Sequence, residues 1–308
     1  EKALVDAPWF IEGGWKIISP DIDVCSPPGC VRSELPTDPV VVIRPSPRWA
    51  PLNLGALWTY REVLYFLIWR EVKVRYKQTV FGVAWALLQP LFAMLIFSIF
   101  FGRVAGIPSD GLPYPLFVYA GLVPWTFFAN SVTSSGNSLI MNPNLITKVY
   151  FPRMIIPAAA VGAGLIDFTI AFLLLIGMMV FYGTFPAWGI VLLPVFIVLM
   201  SGVAFGVGMW LAALNVKYRD VRYALPFLIQ MWMFATPIIY PSSLVPDQWR
   251  WVLALNPLTG IVEGYRAALF GGALDWGMLG ISTGITLVVF FACAFVFRRM
   301  EKQFADIV

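Results

Sequence analysis

Few side chains of this sequence are equipped for chemistry, and most of those are basic. Arg70, Lys73, Arg75 and Lys77 crowd one short stretch, and Arg70, Lys73 and Lys77 recur at i, i+3, i+7. That spacing puts three cations on one helical face, where they can meet phosphates at a lipid surface while Leu67, Ile68 and Val72 dip inward. Glu71 and Arg75 stand four apart, the spacing of a helical ion pair. Histidine is absent, which removes the commonest general base and every Ser-His or Cys-His nucleophile. Asp167 is the carboxylate deep in an apolar stretch, and one carboxylate makes no acid/base pair. It reads either as a proton or substrate contact or as a group tying helices together through Thr, Ser or Asn partners. No lysine follows a glycine, so there is no Gly-x-x-x-x-Gly-Lys phosphate loop. A nucleotide-driven process would need its motor on another polypeptide. Cys25 and Cys30 read as a metal clip or as two reduced thiols; without histidine or a second pair, no metal site is expected. Neither a catalytic residue nor a cofactor bound by this chain is expected.

The elements that must position these groups are set by hydrophobicity. The 308 residues are 59% hydrophobic and 12% charged, with mean hydropathy +0.79, which excludes an ordinary soluble domain. About 20 residues at ~1.5 Å rise cross a hydrocarbon core of ~30 Å. Six stretches qualify: 80–101, 116–134, 155–181, 189–214, 223–240 and 277–297. The fifth is short and carries Pro226 and Pro237. The fold class expected is therefore an all-α integral membrane protein with six transmembrane helices.

Basic residues orient it. Arg70, Lys73, Arg75, Lys77, Lys148, Arg153, Lys217, Arg219, Arg222, Arg298, Arg299 and Lys302 flank one side, against Arg103, Arg250 and Arg266 on the other. Both termini are expected in the cytoplasm, and the net charge of +4 reflects this flanking bias, with no nucleic-acid partner implied. Residues 1–56 read as a cytoplasmic lead-in without a signal-peptide core, 57–79 as an amphipathic interface helix, and 80–308 as the transmembrane domain.

Two segments interrupt the spans. The polar island 137–154 carries Pro143 and Pro152, with Pro157 just beyond; it is expected to continue neither flanking helix and to form one short amphipathic helix through Leu145, Ile146, Val149 and Tyr150. It reads as a docking surface. The segment 241–272 has Asn256-Pro257 placed as an N-cap and first helical residue, and reads as two short re-entrant or gate helices, or a plain lid, at the outer mouth. Tyr240 borders this segment, and Glu263, Tyr265 and Arg266 lie on its second helix.

Aromatic stripes mark two spans. Phe81, Trp85, Leu88, Phe92, Ile96 and Ile99 share a helical face in the first, and Tyr223, Phe227, Gln230 and Phe234 repeat the spacing in the fifth. Flat rings stack on sugar C–H faces without a fixed hydrogen-bond pattern, so such stripes could line a conduit; packing seams or lipid-facing rings are the alternative. Trp125, Trp188, Trp249 and Trp251 read as interfacial anchors.

The ordered set of motifs resembles the permeases of ABC-2 type polysaccharide exporters, those of O-antigen, capsule and teichoic acid. It comprises Trp69-Arg-Glu-Val-Lys-Val-Arg-Tyr-Lys77 with Gly82 and Trp85, Gly121-Leu-Val-Pro-Trp125, Asn144-Leu-Ile-Thr-Lys-Val-Tyr-Phe-Pro-Arg153, Tyr218-Arg-Asp220, Thr236-Pro-Ile-Ile-Tyr240, Asn256-Pro257 and Tyr265-Arg266. The resemblance runs from about residue 57 to the end; the long lead-in departs from it. It implies a homodimer of six-span subunits in the bacterial inner membrane, gripped by two copies of a separate ATPase subunit that binds ATP and Mg, exporting a polyprenyl-diphosphate-linked glycan. Carried over, Asn142, Asn144, Leu145, Lys148, Tyr150 and Arg153 would be ATPase-coupling residues. Arg70, Lys73, Arg75 and Lys77 would lie where the lipid diphosphate enters. Phe81, Trp85, Phe92, Tyr223, Phe227 and Phe234 would line the channel, and Tyr240, Glu263, Tyr265 and Arg266 would belong to the outer gate. An exporter of small amphiphiles or drugs, a stand-alone channel or secondary transporter, and a membrane transferase are the rival readings; the last should show clustered carboxylates or histidines, which this sequence lacks.

Overall fold

The computed structural model describes residues 58–77, 84–148, 151–218 and 220–301, all helix, turn or loop. The lead-in with Cys25 and Cys30, and Phe81, Tyr150 and Arg219, lie outside the described residues, as does the side chain of Lys148. The helices are α1 (Arg61–Lys77), α2 (Ala84–Phe97), α3 (Tyr114–Met141), α4 (Pro143–Lys148), α5 (Ile155–Phe181), α6 (Leu193–Lys217), α7 (Val221–Ala235), α8 (Arg250–Ala254), α9 (Pro257–Phe270) and α10 (Trp276–Glu301). A π-helical stretch, Ser98–Val104, prolongs α2, and a 3-10 turn, Trp188–Leu192, leads into α6.

Boundaries follow local chemistry. Pro115 near the start of α3 and Pro194 near the start of α6 sit in the first turn, where no intrahelical N–H is needed. Asn256 caps α9 by accepting from the Leu258 amide at 3.1 Å, with Pro257 at the first helical position, as its Asn-Pro spacing predicts. The polar island corrects one expectation. Residues 137–141 are the last turn of α3, and Pro157 falls inside the first turn of α5, so the break is confined to the stretch between. Asn137 and Asn142 explain this: their side-chain amides donate to the carbonyls of Thr133 and Ser138 (2.9 and 2.8 Å), keeping polar residues helical.

Five helices among the described residues are long and apolar enough to cross a membrane: Leu87–Val104, Tyr114–Met141, Ile155–Phe181, Trp188–Lys217 and Trp276–Glu301. The expected fifth span differs. α7 has 15 residues, about 22 Å at ~1.5 Å each, and breaks at Thr236-Pro237, where proline supplies no amide for the ladder.

α3 is the axis of the bundle. Of its apolar window 78% is buried, against 11% for the first span, so α3 is wrapped by protein while α2 offers most of its surface outward. It packs chiefly on α5 and α6, and α6 packs on α10. Trp125 corrects another expectation: it is 4% exposed and packs on Phe128 at 5.6 Å. Its position on the central helix decides this, whereas Trp188, at 94% exposure, and Trp249 stand outward as anchors should.

Close approach fixes the 3-10 turn against α9. A Cβ on Gly189 would stand 2.6 Å from the Ala268 carbonyl oxygen and 2.7 Å from its Cα, and backbone cannot swing aside. Gly189→Ala is expected to lower stability by about 1–3 kcal/mol, read as an earlier melting transition of the purified protein in lipid nanodiscs.

Candidate functional site

Three places on the bundle carry the residues singled out above. At the first, α1 runs along α5, its Leu67 buried in a core shared with Leu139, Ile146, Ile155 and Phe297. That core ties α1, α4, α5 and the end of α10 into one packed unit. Arg70 is drawn inward, donating to Asn142 Oδ1 at 2.7 Å and to Glu71 Oε1 at 2.9 Å, so the expected three-cation face is split: Lys73 and Lys77 remain exposed, Lys73 over the Trp69 ring at 5.4 Å. The expected Glu71 to Arg75 pair is likewise replaced. Arg75 is ion-paired with Asp167, and the Tyr76 hydroxyl donates to the other oxygen of that carboxylate. Asp167 therefore does tie helices together, through Arg75 and Tyr76 and not through Thr, Ser or Asn. A carboxylate near the middle of α5 finds its countercharge on α1, four helices earlier in the chain.

The far side of the island is fixed to α10. Arg153 donates from its guanidinium to the Glu301 carbonyl at 2.5 Å and from its amide to Glu301 Oε1 at 3.2 Å. Asn144 is exposed, Leu145 half-buried, and Ile146 buried. α4 thus presents a polar outer face on an apolar anchor, flanked by bonds to α1 and α10.

The second place is an aromatic face. Trp85, Phe92, Ile96 and Ile99 of the first span and Tyr223, Phe227 and Phe234 of α7 all point outward, and both α2 and α7 lean on α3. Exposed amides interrupt the rings: Gln89, Asn130 of α3, and Gln230.

The third place lies at the opposite end of α3 from α4, where the break after α7 frees backbone carbonyls that other elements then satisfy. Arg266, buried, donates to the Pro237 and Ile238 carbonyls at 2.7 and 2.5 Å, with its guanidinium carbon 3.9 Å from the centre of the Phe117 ring. Tyr114 donates to the Ile239 carbonyl at 2.9 Å. Asn256 accepts from Trp232 Nε1 at 3.0 Å and donates to Thr236 Oγ1 at 2.9 Å, joining the end of α7 to the start of α9. Sequence reasoning read Asn256 as a helix cap alone and missed this second duty; Tyr76 and Glu301 it missed altogether, since neither stands in a local pattern. The residues grouped as an outer gate separate. Tyr265 is buried against Phe168 at 6.4 Å, Tyr240 donates to the Phe234 carbonyl at 3.5 Å, and Glu263 and Arg266 share a cavity wall. Burial raises the Glu263 carboxyl above its usual range, opposed by bonds from Ser242 and by the Arg266 charge. No group of three Asp, Glu, Cys or His among the described residues could hold a metal.

A bundle of long apolar helices with a basic helix locked onto one span defines a polytopic integral membrane protein. The ABC-2 type transporter profile matches residues 62–270, and the chain belongs to that family. It is 31% identical over 255 residues to the O-antigen export system permease protein RfbA of Myxococcus xanthus, covering 81% of this chain and 96% of that protein. The RfbA permease of Klebsiella pneumoniae is 30% identical over 261 residues, 83% of this chain and 97% of its own length. The polysialic acid transport protein KpsM of Escherichia coli is 25% identical over 238 residues, 77% and 92% of the two chains. The family read from the motifs is thereby borne out.

Proposed function

We propose that this chain is the membrane-spanning permease subunit of an ATP-driven exporter that moves a polyprenyl-diphosphate-linked polysaccharide across the bacterial cytoplasmic membrane. Two copies form the path, and two copies of a separate ABC ATPase subunit, carrying ATP and Mg, grip the end bearing α1 and α4, where the termini would face the cytoplasm. The family and the substrates in the relatives' names support this reading, and one observation carries it: the exposed amides Gln89, Asn130 and Gln230 among outward aromatics. Amides facing lipid would lack hydrogen-bond partners, whereas facing a second copy across a wet conduit they meet water and sugar hydroxyls, and the rings offer sliding contacts.

Force would enter through the α4 face and the Arg70 to Asn142 bond, reach α1, and pass to α5 through Arg75 and Asp167. Lys73 and Lys77, both exposed, would offer cations to the lipid diphosphate. The cargo must bind the inward and outward states unequally, since equal affinity shifts no population.

Purification of the chain from the membranes of its native cells tests the assembly; an equimolar complex with a nucleotide-binding subunit is expected, and a chain isolated with no such subunit refutes the reading. For the lining, Trp85→Ala and Phe227→Ala are each expected to cut surface polysaccharide by about 10-fold, the loss of about 1.4 kcal/mol of contact, with assembly unchanged on native gels. Normal export from both variants removes the aromatic face from the path.

A further inference from the structure

A cavity of about 680 Å3 opens at the end of the bundle away from α1 and α4, bounded by the turn after α7, by α8 and α9, and by the start of α10. Its volume lies within the roughly 300–1,000 Å3 of small-molecule sites. Its walls are of mixed chemistry. Asp110, Glu263 and Asp275 contribute carboxylates, Arg250 and Arg266 guanidinium groups, and Trp251 an indole. Three of these are held in place. Asp110 accepts from Ser243 Oγ at 3.1 Å, Asp275 accepts from the Met278 amide at 3.0 Å, and Arg266 is clamped by two carbonyls. Arg266 is buried, and among the described residues its Nε has no hydrogen-bond partner.

This composition selects among ligands. A hydrocarbon would strip water from five ionised groups without replacing it. A divalent cation would need three close acidic ligands, and no such group exists among the described residues. A hydroxyl-rich ring suits every wall: carboxylates accept from neighbouring hydroxyls, the guanidinium fork donates to ring and hydroxyl oxygens, and an indole covers an apolar C–H face.

We propose that this cavity is a carbohydrate-binding site, holding a short run of sugar rings where the transported chain leaves the bundle. The assignment rests on the export reading above and adds a place where the leading sugars are held, so that a chain between strokes does not slip back. Glu263 grips hydroxyls at the wall and Trp251, 63% exposed, stacks at the rim.

Saturation-transfer NMR on the transporter complex in nanodiscs tests it. The probe is the oligosaccharide mixture released by mild acid from the surface polysaccharide of the producing cells. Transfer to sugar protons is expected from the native complex, and a Kd about 10-fold weaker or worse in Glu263→Gln and in Trp251→Ala, as for central contact residues. Trp58→Ala, on an exposed ring just before α1 at the other end of the bundle, should bind as the native complex does. Because Trp251 stands at the rim, its replacement leaves the fold intact, so undiminished binding by Trp251→Ala overturns the site whatever Glu263→Gln does. No transfer from the native complex at millimolar probe also overturns it. Export is scored separately by deleting the chain: surface polysaccharide that persists refutes the export reading, whereas its loss together with absent probe binding keeps export and removes only the site.

Discussion

Asp167→Ala is expected to reduce surface polysaccharide at least about 10-fold while the protein still reaches the membrane. The carboxylate holds both Arg75 and Tyr76, and its loss leaves the Arg75 cation of α1 facing an apolar span without its countercharge. Removing one partner of a fully buried pair costs about 3–5 kcal/mol; Arg75 and Asp167 are 32% and 16% exposed, so roughly half of that is the sounder expectation. The larger effect is mechanical. Without the pair, α1 is joined to α5 mainly by packing such as Ile68 against Gly162, and a push on α1 would be spent in slip. Asp167→Asn keeps an acceptor for Tyr76 and should fall between. A double cycle with Arg75→Leu separates the two terms. Arg75→Leu with Asp167→Leu should recover thermal stability, because no charge is left unpaired, yet should not recover export. Wild-type export from Asp167→Ala would show that the pair transmits nothing.

Arg266→Ala should carry the largest loss of stability of any single replacement in the bundle. The side chain closes the break after α7 by serving two carbonyls, fills the space over Phe117, and faces Glu263. Alanine leaves the carbonyls unserved, a cavity, and the half-buried Glu263 carboxyl without its countercharge, for about 3–5 kcal/mol in total. Arg266→Lys supplies a single point charge in place of a fork and should lose about half as much. Gly121→Ala approaches the same defect from the other side, since its Cβ would collide with the Arg266 guanidinium that the two carbonyls hold still. Fluorescence-detected size exclusion after heating reads all three. An Arg266→Ala protein that melts with the native one would mean that the turn at 236–241 is held by Tyr114 and Asn256 alone.

Much of this protein is legible in its residues because the membrane imposes local rules. Length and apolarity locate five of the six expected spans, and the Asn256-Pro257 cap is visible because a cap is decided within four residues. That Trp85, Phe92, Ile96 and Ile99 share one face follows from helical period, whereas its outward aspect is set by the bundle. What lay beyond reach involves partners distant in sequence or a helix's place in the bundle. Arg75 looked like one more border cation until its partner, Asp167, came from 92 residues away, and Arg70 finds Asn142 across 72. Trp125 looked like an anchor because periodicity cannot say which helix will be surrounded on all sides. The sequence does not show that the helix of the fifth stretch stops at Ala235, because the turn after it is as apolar as a helix; the converging donors of Arg266, Tyr114 and Asn256 satisfy that non-helical backbone. The sequence by itself determined a basic-flanked membrane bundle of this family, since hydrophobic length and charge bias act residue by residue. Tertiary structure alone decided which charges are spent inside the bundle and which remain for a ligand, because a buried ion finds its countercharge in space and not along the chain.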